Sequence, residues 1–225
     1  MALNAQSGSR FRNEMVDLRQ SVLEMGGLAE EALSAAIDAL LEGDRLQAER
    51  GRDLDEEIDR LERVIDERCL KILALHQPAA SELRFVTMAM RLATDLERVG
   101  GLARNLAKRA AALSVDEAPT SYAEIPKLTG RVRQMMSSAL DAFVDRDVDL
   151  AWDVLRRDDE VDAMHRDIQG ELQRLMEQER IAISQGLVLL FVVKDLERIA
   201  DHATSIAEGV IFMVRGRDAR APDED

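Results

Sequence analysis

The sequence predicts an all-α protein of about six long helices, arranged as two tandemly repeated up-down three-helix bundles. Three observations carry this. Hydrophobic residues make up 46% of the 225 residues but aromatics only 3%, with four Pro and twelve Gly. The chain can therefore fill a core, yet it lacks the aromatic and turn residues that sandwiches and barrels need. Its apolar residues recur at i, i+3 and i+4. Its second half also repeats its first.

The elements follow in order. Leu18, Val22, Met25, Ala29, Leu33, Ala36 and Leu40 keep helical spacing, so residues 10–42 read as one helix. Gly43 closes it, and Asp44 is a candidate N-cap for the next. Leu54, Ile58, Leu61, Ile65, Cys69 and Ile72 mark a second helix ending near His76, where the imidazole would cap the last carbonyls. Pro78 suits the first turn of a third helix, whose missing N–H would be unpaired anyway. That helix passes Leu83, Val86, Met90, Leu96, Val99 and Leu106 to about Leu113.

Residues 114–125, with Pro119 and several Ser and Thr, read as the linker. Ser121 and Glu124 resemble a capping box, but Pro126 would then break the helix, so Pro126 is placed in the first turn instead. Three further helices are predicted over 126–145, 149–178 and 181–215. The expected division is residues 1–115 and 116–218 for the two repeats, with 219–225 a polar tail. Thirty-residue helices are about 45 Å long at 1.5 Å per residue, so short connections force antiparallel neighbours, with the bundles end to end or side by side.

The repeat is specific. Ala36–Asp44 lies on Ala139–Asp147 at an offset of 103, and Asp55, Ile58, Asp59 and Ile65 fall on Asp158, Val161, Asp162 and Ile168. Asp95-Leu96-Glu97-Arg98 recurs identically as Asp195-Leu196-Glu197-Arg198, the offset now 100, so the loop near Pro78 carries three extra residues. An Ala- and Leu-rich chain matches apolar positions by chance, but an identical tetrapeptide in a sustained register marks duplication.

Charge and cysteine content narrow the function. Thirty basic against 44 acidic residues give a net charge of −14, and no basic stripe suits nucleic acid. The single Cys69 excludes an internal disulfide and fits a reducing compartment. Residues 1–10 are polar and unlike a secretory signal, and the longest apolar run, 186–193, is far short of the roughly twenty residues a bilayer requires. A cytoplasmic protein without membrane insertion is expected.

Acid pairs are the candidate chemistry. Asp55/Asp59 and Asp158/Asp162 are i, i+4 pairs at equivalent repeat positions, and Glu197/Asp201 is a third. Like charges one turn apart destabilise a helix, more so beside a core, unless a cation or basic side chain compensates. Oxygen donors of this kind suit hard or borderline cations such as Mg, Mn, Fe or Zn ions. Alternatively, such pairs face water, neutralised by Arg60, Arg63, Arg98 or Arg198. A carboxylate-bridged metal-binding or redox bundle would need Glu-x-x-His twice, and only Asp162…His165 approaches it. His202 is a ligand, an ion-pair partner or a surface residue. Met88, Met90, Met135, Met136 and 188–193 read as core, with leftover apolar surface favouring a homodimer. No phosphate loop, nucleophile elbow or zinc spacing occurs, so an enzyme is not expected.

The segment Asp195-Leu196-Glu197-Arg198-Ile199-Ala200-Asp201-His202-Ala203-Thr204-Ser205-Ile206-Ala207-Glu208 resembles the signature of the PhoU family of phosphate-specific transport accessory proteins, close to DLERIGDHATNIAE. The stretches 77–86, 95–100 and 157–162 resemble it as well, so the likeness covers residues 10–215. It implies two three-helix bundles and a cytoplasmic regulator that represses phosphate-starvation signalling. It also implies that the regulator limits phosphate uptake, with the phosphate ABC transporter and its sensor histidine kinase as partners.

The resemblance further implies metal binding through paired acid motifs, one per bundle. Asp158, Asp162, Glu197 and Asp201 complete the second set. In the first, Asp55, Asp59 and Glu97 match, but Gly101 stands where the family has Asp, so a weaker or empty site is expected. Ala200, Ser205 and Glu82 also depart from the commoner residues. Arg84, Arg98 and Arg198 are candidate anion or partner contacts.

Overall fold

The computed structural model describes residues 2–113, 124–217 and Ala219, and the described residues form six helices and no strand. They are α1 (Ala2–Glu42), α2 (Arg45–His76), α3 (Ala80–Ala112), α4 (Glu124–Asp145), α5 (Val148–Glu177) and α6 (Ile183–Arg215). The expected linker (114–123) and most of the expected tail lie outside the described residues.

Local signals account for most boundaries. Asp44 caps α2, its carboxylate accepting from the Leu46 and Gln47 amides at 2.8 and 3.4 Å. Asp147, its repeat counterpart, does the same for α5 at 2.9 and 3.0 Å. The turn before each cap needs a left-handed residue. Gly43 takes it at φ 69° in the first copy, and Arg146 takes it at φ 54° in the second. Pro126 falls in the first turn of α4, as expected, where it removes no helical hydrogen bond.

Three boundaries differ from the sequence reading. The α1 helix begins at Ala2, eight residues before the expected start at Arg10, because nothing in 2–9 stops propagation of a formed helix. Pro78 precedes α3 rather than starting it. Gln77 ends α2 in the left-handed region at φ 45°, and extended Ala79 is the N-cap. A left-handed Glu179 at φ 54° likewise delays α6 to Ile183.

The bundles lie side by side. Arg84 Nε on α3 donates to the Met213 carbonyl on α6 at 3.0 Å, and Arg109 pairs with Asp195 at 2.6 Å. Residue numbers thus rise along one helix as they fall along the other, so α3 and α6 pack antiparallel over their length. The α1 and α2 helices flank α3, while α4 and α5 flank α6. Arg133 on α4 reaches Asp38 on α1 at 2.7 Å, a second tie between the halves. One continuous core results, with Leu18, Met25, Ile65, Leu96, Ile125 and Leu196 fully buried. Cys69, Met88, Met135 and Met136 belong to it, as expected, whereas Leu187 and Phe191 in the 188–193 region and its flank are about half exposed. No helix among the described residues is long and apolar enough to cross a membrane.

Candidate functional site

Two seams, α2 against α3 and α5 against α6, carry the acids singled out by the repeat. Asp158 and Asp162 stand one turn apart on α5, Glu197 and Asp201 one turn apart on α6, so each helix presents two carboxylates on one face. The four act on each other electrostatically, which places them together. Asp158 is pushed up to about 6, first by burial and then by Asp162, Asp201, Asp159 and Glu197. Glu197 is raised by burial and then by Asp201 and Asp162, with His165 opposing. Asp201 is raised by burial and by Asp162, against His202, Arg198 and His165. Asp158 Oδ1 is buried with no hydrogen-bond partner. A carboxylate oxygen in that state costs free energy until a proton, donor or cation meets it.

The donor set fits a hard cation in kind: four carboxylates on facing helices, with imidazole His165 at the edge. As placed, however, no three or more acid, His or Cys side chains among the described residues converge tightly enough to hold a metal ion. A cation here would have to draw α5 and α6 side chains together.

The first seam is built differently. Asp55 is only 3% exposed and pairs with Arg104 Nη1 from α3. Burial raises its carboxyl above the ordinary range, Arg104 and Lys108 pull it down, and Asp59 pushes it up. Glu97 lies instead towards Glu62, which is raised by burial and then by Glu97, Asp66 and Asp59. Gly101 contributes no side chain, and a Cβ there would meet nothing within 4 Å.

The three candidate arginines are dispersed. Arg84 serves the Met213 carbonyl, Arg98 pairs with Glu97 at 3.3 Å, and Arg198 lies near Asp195 and Asp201. Arg84 and Arg98 are fourteen residues apart on one helix, about 21 Å, too far to share a small anion. Of the other histidines, His76 does not cap its helix. Its Nε2 meets Glu14 at 2.8 Å, tying α2 to α1. His202 is a hydrogen-bond partner across the bundles, its Nδ1 lying 2.9 Å from Asp95 Oδ1.

That last pair belongs to a feature the sequence reading missed. Asp95 accepts from Ser205 at 2.9 Å as well as facing His202, and Asp195 accepts from Arg109 at 2.6 Å. Both are nearly buried at 8% and 6% exposure. Each repeated tetrapeptide therefore sends its Asp across to the other bundle and its Glu into its own seam. Residues two apart on a helix point to opposite sides, so the signal was present in the spacing.

Fold and site together define a duplicated three-helix-bundle protein whose two halves are locked by buried aspartates and carry acidic outer seams. The PhoU domain model matches the chain twice, over residues 22–110 and 125–210. A phosphate-specific transport system accessory protein PhoU homolog of Pseudomonas aeruginosa is 40% identical over 220 residues, covering 97% of this chain and 91% of that one. The accessory protein PhoU of Escherichia coli is 32% identical over 218 residues, covering 97% and 90%. The crystal structure of PhoU from Pseudomonas aeruginosa superposes with a TM-score of 0.87 at 42% identity, over 92% of this chain and all of that one. The phosphate transport system regulatory protein PhoU from Streptococcus pneumoniae gives 0.85 at 28% identity, over 94% and 100%. The chain belongs to the PhoU family.

Proposed function

We propose that this chain is a non-enzymatic regulatory accessory of phosphate-specific transport, acting at the cytoplasmic face of the membrane through protein partners. The observation that supports this best is the double family match together with relatives of nearly equal length that bear that name. In this reading the chain couples the phosphate ABC transporter to its sensor histidine kinase. It represses starvation signalling and limits uptake when phosphate is plentiful. The absence of a nucleophile–base constellation in the sequence is consistent with a docking role. Deleting the gene is expected to leave a starvation-responsive reporter on in phosphate-rich medium. Restored repression by the intact chain would support the reading, and normal repression in the null would refute it.

Two finer points belong to the same proposal. The second seam binds a divalent or iron cation through Asp158, Asp162, Glu197 and Asp201, supported by the orphaned Asp158 oxygen and by four mutually repelling carboxylates. When bound, the ion would supply charge neutralisation between α5 and α6. Metal analysis of chain purified without chelator tests this, and less than stoichiometric metal counts against it. A homodimer is the second point, supported by half-exposed Leu187 and Phe191 one turn apart on α6. Light scattering at micromolar concentration decides it.

A further inference from the structure

We propose that the first bundle carries a resident guanidinium where the second is open to a cation: Arg104, backed by Lys108, neutralises the Asp55 end of the α2–α3 seam, so the Asp158 position is cation-responsive and its Asp55 counterpart is not. The proposal deepens the reading of the second seam given above.

The repeat makes the comparison direct. At an offset of 100, Gly101, Arg104 and Lys108 on α3 correspond to Asp201, Thr204 and Glu208 on α6. These positions, i, i+3 and i+7, share one helix face. In the second copy the three carry two negative charges, and in the first they carry two positive charges. Glu208 turns to Arg91 of α3 at 3.8 Å, so the change at the seam itself is from the negative charge of Asp201 to the positive charge of Arg104, reinforced by Lys108, while the facing acids were kept, Asp55/Asp59 against Asp158/Asp162.

The geometry agrees with the charges. Asp55 accepts from Arg104 Nη1, and Lys108 adds attraction from one turn further on. Its counterpart oxygen on Asp158 has no hydrogen-bond partner. Packing also closes the first seam. A Cβ at Gly100 would stand 3.0 Å from Ile58 Cδ1 and 3.6 Å from Asp55 Oδ1, whereas the second copy has Ala200 there. Glycine lets α3 approach α2 closely enough to bury Asp55 against its arginine. A guanidinium is permanently charged and covalently tethered, so it neither exchanges with solvent ions nor responds to their concentration. The residues of the first seam therefore do not fit a metal ion, since an incoming dication would meet two cations and lack the carboxylate of position 101.

The test is uptake of Mn²⁺ alone by the full chain in equilibrium dialysis. Asp158→Asn/Asp162→Asn should weaken uptake at least about tenfold. Adding Gly101→Asp/Arg104→Thr/Lys108→Glu to that background should restore roughly one ion per chain, and Asp55→Asn should remove it again. The proposal is overturned if the D158N/D162N chain still binds Mn²⁺ in an Asp55-dependent way, or if the recharged chain gains no site. Should wild type bind no Mn²⁺ while the recharged chain does, the reading of the second seam fails and only the neutralisation of Asp55 by Arg104 stands. If circular dichroism shows that the recharged chain does not fold, melting of R104M decides. R104M should melt below wild type, and Asp55→Asn in that background should recover part of the loss; no recovery overturns the pairing.

Discussion

Replacing Asp158 with Asn probes the charge that the second seam stores. Burial and four neighbouring acids push this carboxyl from 3.8 up to about 6. The folded chain therefore holds the proton more tightly than the unfolded chain does. Stability from this group is fully present below about pH 4 and is lost as pH rises through about 6. A separation of about two pH units, at about 1.4 kcal/mol each, sets a ceiling near 3 kcal/mol. Solvent at the edge of the seam screens this to roughly 1–2 kcal/mol. Asn keeps the shape, removes the charge and can donate to Asp162 or Asp201. In chelator at pH 8, D158N should melt about 2–8 °C above wild type, and at pH 4 the two should coincide. Excess Mn²⁺ should reverse the order by stabilising wild type alone. An equal difference at both pH values, or a variant less stable than wild type at pH 8, would refute the electrostatic account.

Other perturbations read the packing and the turns. Arg146→Gly relieves a left-handed residue at φ 54° and should stabilise by about 0.5–1 kcal/mol, whereas Gly43→Ala at φ 69° should cost about 1 kcal/mol; urea denaturation measures both. Neighbouring glycines on α3 should respond oppositely. Gly100→Ala presses on Ile58 from 3.0 Å and should cost about 1–2 kcal/mol, while Gly101→Ala points into open space and should gain up to about 1 kcal/mol of helix propensity. Leu196→Ala empties a fully buried core position on α6 and should destabilise by about 2–5 kcal/mol, with both halves melting together if the core is continuous.

Much of this was legible beforehand. The stripe from Leu18 to Leu40 and that from Ile58 to Ile72 give the helices because a 3.6 period is a local property. Asp44 announces its cap by standing after Gly43 and before a polar first turn. The acid pairs of the second seam were found because repetition singled them out of 44 acids. What escaped depends on the partner helix. Arg104 looks like any exposed arginine until α2 brings Asp55 to it, and Glu62 matters only because Glu97 lies opposite. His76 stood where a C-cap would stand, yet Glu14, sixty-two residues away, claims it. Side-by-side docking buries a second face of α3 and α6, and its mark in the sequence is polar, Asp95 and Asp195, so it does not stand out from the other acids.

The repeated tetrapeptide joins the two tasks of the fold on single helices. Asp95 and Asp195 face the opposite bundle, where Ser205, His202 and Arg109 hold them. Glu97 and Glu197, two residues on, face their own seams. A charge brought to the α5–α6 seam therefore acts on the helix that is also fastened to α3. On the far side of that helix Gly209 lies so close to α3 that a Cβ there would overlap Met88 Sδ, so a shift of α6 towards α3 would press on that side chain. The first seam, already neutralised by Arg104, gives α3 no comparable input. Under the two proposals above, Arg104 settles the charge beside Asp55 in one bundle while cations and protons set that beside Asp158 in the other, and Asp95 and Asp195 tie the two bundles together.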